Sequence, residues 1–212
     1  MSDMPWLRLP QETVPHNPHA LRLWEEGGER ECCEAFCLRV DMPSIILDVG
    51  AGYGHATRFM AGVFPAAHVY ALDYESYATP GVEEYPGLFI QADAHEIPQS
   101  DGSFDAVWAA HVLEHLQSPL DALWEWRRVL SGAGAILGVV VPSQGEVVPG
   151  HLWDFSDPKR LYYMLRLTGF GVLEVVRKAY SLCAMAYPCE APQSVVPADL
   201  GVPESVEVRE LV

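Results

Sequence analysis

Five short apolar runs recur along this chain, at residues 45–49, 69–72, 88–92, 104–109 and 135–141. Runs of this length that stay apolar, rather than alternating with polar residues, are strands buried on both faces. Helical texture fills several of the gaps, over 57–64, 119–130 and 158–167. Pro65 closes the first of these helices, Pro119 opens the second, and Gly169 stops the third. Strands alternating with helices predict a parallel sheet covered on both sides. Two further runs, 171–176 and 181–187, have only a tight connection between them. A parallel pair needs a long crossover, so these two are antiparallel. With 212 residues, half of them apolar, the chain can bury one large core.

The flanks differ in texture. Residues 1–18 are proline-rich and polar and suggest an extended arm. Residues 19–40 read as helical, with Leu21, Trp24, Phe36 and Val40 facing inward and a break at Gly27-Gly28. From Pro188 the chain is proline-rich and acidic, either a loose tail or an arm packed on the domain or a partner. The expected organisation is an arm and helical lid over 1–43, a main domain over 44–187, and a tail over 188–212. The first ten residues, MSDMPWLRLP, lack the charged-then-apolar order of a signal peptide. No apolar run reaches the ~18 residues of a membrane span. A cytoplasmic protein without membrane contact is expected.

The formal charge of −16, with only 13 Lys and Arg, disfavours nucleic acid as a partner. It suits a neutral or cationic ligand. Five cysteines include Cys32, Cys33 and Cys37 on one expected helix. No paired CxxC or Cys/His spacing accompanies them, so they are expected as buried thiols and no metal site is expected.

The segment ILDVGAGYGHAT, residues 46–57, places Gly50, Gly52 and Gly54 between a strand and a helix. Such a bend lets backbone approach a ligand, and the helix start behind it favours negative charge. The dinucleotide fingerprint is G-x-G-x-x-G. Here the spacing is G-x-G-x-G, with Asp48 two residues before the first glycine. DVGAGYG resembles the first motif of the class I S-adenosylmethionine-dependent methyltransferases. The segments ALDY, QADAHEIPQSDGSFDAVWAAHVLEHL, WEWRRVLSGAGAIL and HLWDFSDPKRLYYMLRLTGF resemble later motifs of that family, in the family's order, from about residue 45 to 176. SGAG at 131–134 departs from the family's usual turn and leaves the cofactor motifs untouched.

The resemblance implies a Rossmann-like, doubly wound α/β fold: a seven-stranded, mostly parallel sheet with one antiparallel strand. It implies S-adenosylmethionine as cofactor and a one-step methyl transfer to an acceptor, here expected to be a small molecule. Cofactor-binding candidates are Asp48, Gly50, Ala51, Gly52, Asp73, Asp93, Ala94 and Ala110. Asp73 would accept from the ribose hydroxyls, Asp93 from the adenine amine, and Ala94 would offer a backbone N–H. His111, His115 and His151 are the candidate bases, with Asp154 a further substrate-side candidate. Trp6, His16, His19 and Trp24 are candidates for a lid, although packing accounts for each tryptophan as well. Arg128 is expected in a structural ion pair and Phe170 in the core. The alternative is a non-catalytic S-adenosylmethionine-binding subunit that works through a protein partner; a homodimer is also open.

Overall fold

A computed structural model of the protein describes residues 18–74, 88–145, 148–190 and 206–211, with the side chains of 18–20 left aside. The elements, in chain order, are α1 (Pro18–Glu26), α2 (Glu29–Cys37), β1 (Ile45–Val49), α3 (His55–Val63), β2 (His68–Asp73), β3 (Phe89–Gln91), β4 (Ala106–Ala110), α4 (Pro119–Val129), β5 (Ile136–Pro142), α5 (Pro158–Leu167), β6 (Phe170–Lys178), β7 (Ser181–Pro188) and β8 (Arg209–Glu210). A short 3-10 turn, Leu113–His115, follows β4.

The strands form one sheet in the order β3-β2-β1-β4-β5-β7-β6-β8. Strands β1 to β5 pair in parallel. Strand β7 runs antiparallel to both β5 and β6. This is the expected doubly wound α/β sheet with a single antiparallel strand. One strand is additional: β8, from the acidic tail, pairs in parallel with β6. Arg209 donates to Glu174 (3.0 Å), which also pairs with Arg39 behind α2. This part of the tail therefore packs on the domain.

Alternate residues of each central strand enter two separate cores. Leu47, Val49, Val107, Ala109, Leu137 and Val139 join α4 and α5 on one side, with Trp126, Leu161 and Phe170. Ile46, Ala106, Trp108, Ile136 and Val140 join α2 and α3 on the other, with Phe36 and Met60. Burial on both faces is why the strands read as unbroken apolar runs. Helix α2 belongs to this second core, through Cys32, Cys33 and Cys37, all buried free thiols. Trp24, Phe36 and Val40 are buried as expected, whereas Leu21 is only half-buried.

The helix ends follow local chemistry. Pro119 and Pro158 open α4 and α5, and Asp157 accepts from the Lys159 backbone N–H (2.9 Å) as a cap. Arg128 in the last turn of α4 pairs with Glu125 and Asp101 and donates to the carbonyls of Gln99 and Ile97. It is the structural tie expected of it, fastening the loop after β3 to α4.

Gly138, mid-β5, shows how tightly the second core is filled. A Cβ there would lie 2.6 Å from the Phe36 ring and 2.7 Å from the Trp108 ring. Gly138→Ala is expected to destabilise the fold by about 1–3 kcal/mol, the usual cost of overpacking. A urea midpoint equal to wild type would show that the two rings have room to yield.

Candidate functional site

The C-terminal ends of β1, β2 and β4 lie level at one edge of the sheet. Val49 stands beside Leu72 on one side and Ala109 on the other. The chain order reverses between β1 and β4, which is where open α/β sheets leave a crevice. Gly50 bends there with φ +65°, and a Cβ on it would stand 2.3 Å from Val112 Cγ2. The loops after β1 and β4 thus meet where one of them has no side chain. The Ala51 N–H donates to Leu72 O (3.0 Å) and the Gly52 N–H to Asp73 Oδ2 (2.9 Å). The bend is tied to the end of β2 by two backbone donors.

A cavity of about 830 Å³ opens beside this bend. Gly50, Asp73, Asp93 and Ala94 line it, together with Leu72, Tyr74, Ala92, His95, Val112 and His115. Asp93 Oδ1 accepts from the His95 backbone N–H (2.9 Å) and lies 2.6 Å from His95 Nδ1. These bonds, the backbone one foremost, hold the Asp93 carboxyl below its ordinary range. Trp126 Nε1 donates to Ala94 O (3.0 Å), which anchors this wall to α4. Ala110 is half-buried and packs against the α2 side of the sheet, away from that wall.

A second cavity, of about 630 Å³, lies beyond the first. His111, Glu114, His115 and His151 line it, with Arg22, Leu23 and Gly27 from the α1 end and Tyr180 from the β6–β7 turn. His115 lines both cavities. His111 has φ +55°, in the region that non-glycine residues seldom occupy. Its Nδ1 donates to Glu114 Oε1 (3.1 Å), and its Nε2 lies 3.3 Å from Ser181 Oγ. Burial alone would lower its pKa, but the Glu114 hydrogen bond and charge, with Glu29, raise it above the ordinary value. Glu114 is fully buried.

Candidate positions in the sequence thus fall into two groups. Gly50, Asp73, Asp93 and Ala94 gather at the first cavity, and His111, His115 and His151 at the second, with His115 shared. Asp154 is exposed, and its Oδ1 caps a turn by accepting from the Ser156 N–H (2.8 Å). Trp24 packs inside, stacked on His55 (6.0 Å) and edge-on to Phe59 (5.8 Å). Trp6 and His16, and the side chain of His19, lie outside the described residues. Sequence reasoning passed over Glu114 and Glu29. Glu114 stands three residues after His111, a spacing that puts two side chains together on a helical turn. Glu29 carries no local signal, because it reaches the site only through the docking of α2.

Comparison with known proteins bears on this geometry directly. Residues 47–138 match the methyltransferase domain family. That span contains the glycine bend, both aspartates at the strand ends and the turn after β4. Over that span the chain is similar to S-adenosylmethionine-dependent methyltransferases, as its motifs imply. Among curated relatives, the malonyl-[acyl-carrier protein] O-methyltransferase of Laribacter hongkongensis is 28% identical over 127 residues, 51% of this chain and 42% of that protein. A sterol 24-C-methyltransferase of Gibberella zeae is 38% identical over 149 residues, 66% of this chain and 37% of that protein. The chain thus spans less than half the length of these two relatives. Among solved structures, the Burkholderia thailandensis 1,6-didemethyltoxoflavin-N1-methyltransferase shares the fold, with a TM-score of 0.67 at 18% identity over 88% of each chain.

Within the matched span the acid of the glycine motif, Asp48, is buried on the α2–α3 side of β1, at 2% exposure. Thr57 Oγ1 donates to its Oδ2 (2.5 Å), fastening β1 to α3 across the bend. Burial is the main cause that lifts its pKa from 3.8 to about 7. The Thr57 bond opposes that rise, and the charges of Glu29 and Asp73 add to it.

The folded state therefore holds a proton on Asp48 that the unfolded chain has already released between about pH 4 and 7. Stability from this group is present at low pH and is lost as pH rises through that window. Asp48→Asn can still accept from Thr57 and never ionises. Its stability relative to wild type is expected to improve by a few kcal/mol, order of magnitude, between pH 5 and pH 8 in urea titrations. A difference that stays constant with pH would mean that Asp48 is ionised throughout.

Proposed function

We propose that the domain binds S-adenosylmethionine in the cavity beside the glycine bend and methylates a small-molecule acceptor held in the second cavity. The observation that carries this reading is the shared wall: His115 borders both spaces, so a group in one can face a group in the other.

The residues present fit the cofactor. A nucleoside needs acceptors for its ribose hydroxyls, an acceptor for its amine and apolar faces for its base. Asp73 supplies the first, in a cavity whose apolar lining comes from Leu72, Ala92 and Val112. Asp93 supplies the second, and the backbone at Ala94 offers an N–H to the base. Gly50 allows backbone contact that a side chain would block. The volume lies within the range of ordinary small-molecule sites, roughly 300–1,000 Å³.

When bound, the sulfonium supplies a methyl group whose departure leaves a neutral thioether. The chain's task is then placement. Holding two reactants in line is worth ~7–11 kcal/mol in well-oriented systems. Asp48 secures the bend through Thr57, and the Glu114 bond secures the His111 ring at the second cavity. An acceptor that arrives protonated needs a base there. His111, His115 and His151 stand within that cavity's wall. The carboxylates of Asp73 and Asp93 in the first cavity's lining favour a cationic ligand over an anionic one. The relatives' names span an O-methyltransferase and a C-methyltransferase, so family membership alone does not give the atom methylated.

The non-catalytic alternative has no use for a second cavity lined by histidines. Turnover separates the two readings. S-Adenosylhomocysteine released with any acceptor from a broad metabolite panel supports the enzyme.

Asp73→Asn preserves an oxygen for the Gly52 N–H but removes the charge that would accept from ribose. It is expected to weaken S-adenosylhomocysteine binding tenfold or more in calorimetry, within the ~1.5–3 kcal/mol of a charge-assisted hydrogen bond. Unchanged affinity in the folded variant would exclude Asp73 from the site, and with it this placement of the cofactor.

A further inference from the structure

We propose that Glu114, His115 and His151 form a site for one Zn²⁺ ion in the wall of the second cavity, with a coordination position left open to that cavity. One potential ligand atom from each residue lies within 4.8 Å of the other two. Three ligands around a tetrahedral ion, at ~2.1 Å each, stand about 3.4 Å apart. Small side-chain rotations close the difference.

Three further observations point to a metal rather than to coincidence. First, the fully buried Glu114 uses Oε1 for His111, while its Oε2 is buried without a hydrogen-bond partner. The ion pair with His111 explains one oxygen and leaves the other unexplained. A buried orphan acceptor is costly and rare. Second, His115 Nδ1 lies 3.0 Å from the Gly150 carbonyl. A carbonyl only accepts, so Nδ1 carries the proton and the Nε2 lone pair is left for a ligand. Metal-binding histidines are oriented in this way. Third, the loop bearing His151 is stitched to the turn bearing the other two. The Leu152 N–H donates to Glu114 O (2.7 Å) and Trp153 Nε1 to Leu116 O (2.8 Å). The His115 and His151 rings meet edge to face at 4.8 Å.

Two imidazoles and one carboxylate are a donor set for zinc sites that keep a position open. Imidazole also argues against magnesium or calcium, which take oxygen ligands. The His111–Glu114 bond is then the outer support of a ligating carboxylate. The site's use in catalysis, unlike the site itself, rests on the methyl-transfer reading. There an acceptor hydroxyl on the open position loses its proton to solvent with a lowered pKa. Its oxygen forms the bond to the methyl carbon as the carbon–sulfur bond breaks, and that electron pair goes to sulfur.

The test uses the full chain, stripped with chelator and titrated with Co²⁺ as the visible probe. One equivalent should give the absorption of a low-coordinate nitrogen–oxygen site, and Zn²⁺ should abolish it by displacement. His151→Gln and His115→Gln, checked for folding by circular dichroism, should each weaken binding by tenfold or more. Absence of a stoichiometric cobalt spectrum overturns the site, as does binding unaltered in both variants. Calorimetry with S-adenosylhomocysteine on wild type keeps the two proposals apart. Metal binding without nucleoside affinity supports the site and removes the methyl-transfer reading; nucleoside affinity without metal binding does the reverse.

Discussion

The contact between Gly50 and Val112 is the constraint on which the rest of the site depends. Strands β1 and β4 are neighbours, and the loops that leave them must share one crevice. Any side chain at Gly50 would collide with Val112 Cγ2. Because the first loop has none, the second can settle onto it and continue directly into the Leu113–His115 turn. That turn carries the residues of the second cavity, and the bend carries the wall of the first. A single missing side chain therefore lets two compartments form side by side at one sheet edge.

Charge is distributed around that crevice in an unusual way for a folded core. Asp48 and Glu114 are buried, and Glu29 is drawn in at the start of α2. Burial raises the pKa of Glu29, as it does that of Asp48. Each feels its neighbours: Glu29 acts on Asp48 and on His111, and Glu114 acts on Glu29 and His111. Buried carboxylates are tolerated when paired, hydrogen-bonded or neutralised. Thr57 serves Asp48 and His111 serves Glu114. Glu114 keeps one buried oxygen without a hydrogen-bond partner beside the second cavity, where an ion would relieve it.

Much of the fold was legible because its signals are local. Continuous apolar runs marked β1, β2, β4 and β5, and the Gly27-Gly28 break separated α1 from α2. The bend and Asp73 were legible because a strand end and a glycine spacing leave a pattern in a few residues. Three things were not. Strand β8 is two residues long and exists through its partner β6 and the Arg209–Glu174 pair. The bond from the Gly52 N–H to one oxygen of Asp73 is set by how the bend packs on the end of β2 and leaves no local pattern. The grouping of Glu114 and His115 with His151 spans the whole of α4 and β5. No spacing rule reaches across it, because the loop after β5 returns to the turn after β4 by long-range bonds, Leu152 N–H to Glu114 O and Trp153 Nε1 to Leu116 O, that leave no local pattern.

The same logic separates what this chain shares with its relatives from what is its own. The family match, 47–138, covers the crevice and ends within β5. The second cavity draws on residues outside that span on both sides: Arg22, Leu23 and Gly27 before it, and Pro142, His151 and Tyr180 after it. Its closure depends on Gly28, whose φ of +89° sets the α1–α2 break against the β6–β7 turn, where a Cβ would stand 2.1 Å from the Lys178 carbonyl oxygen. The Tyr180 N–H then donates to Gly27 O (3.0 Å), locking the two together. On the proposed reading, cofactor recognition rests on residues within the matched span, whereas acceptor recognition also draws on residues outside it. The first can persist while the second diverges, and the acceptor must be sought in the chemistry of the α1 end, the loop after β5 and the β6–β7 turn.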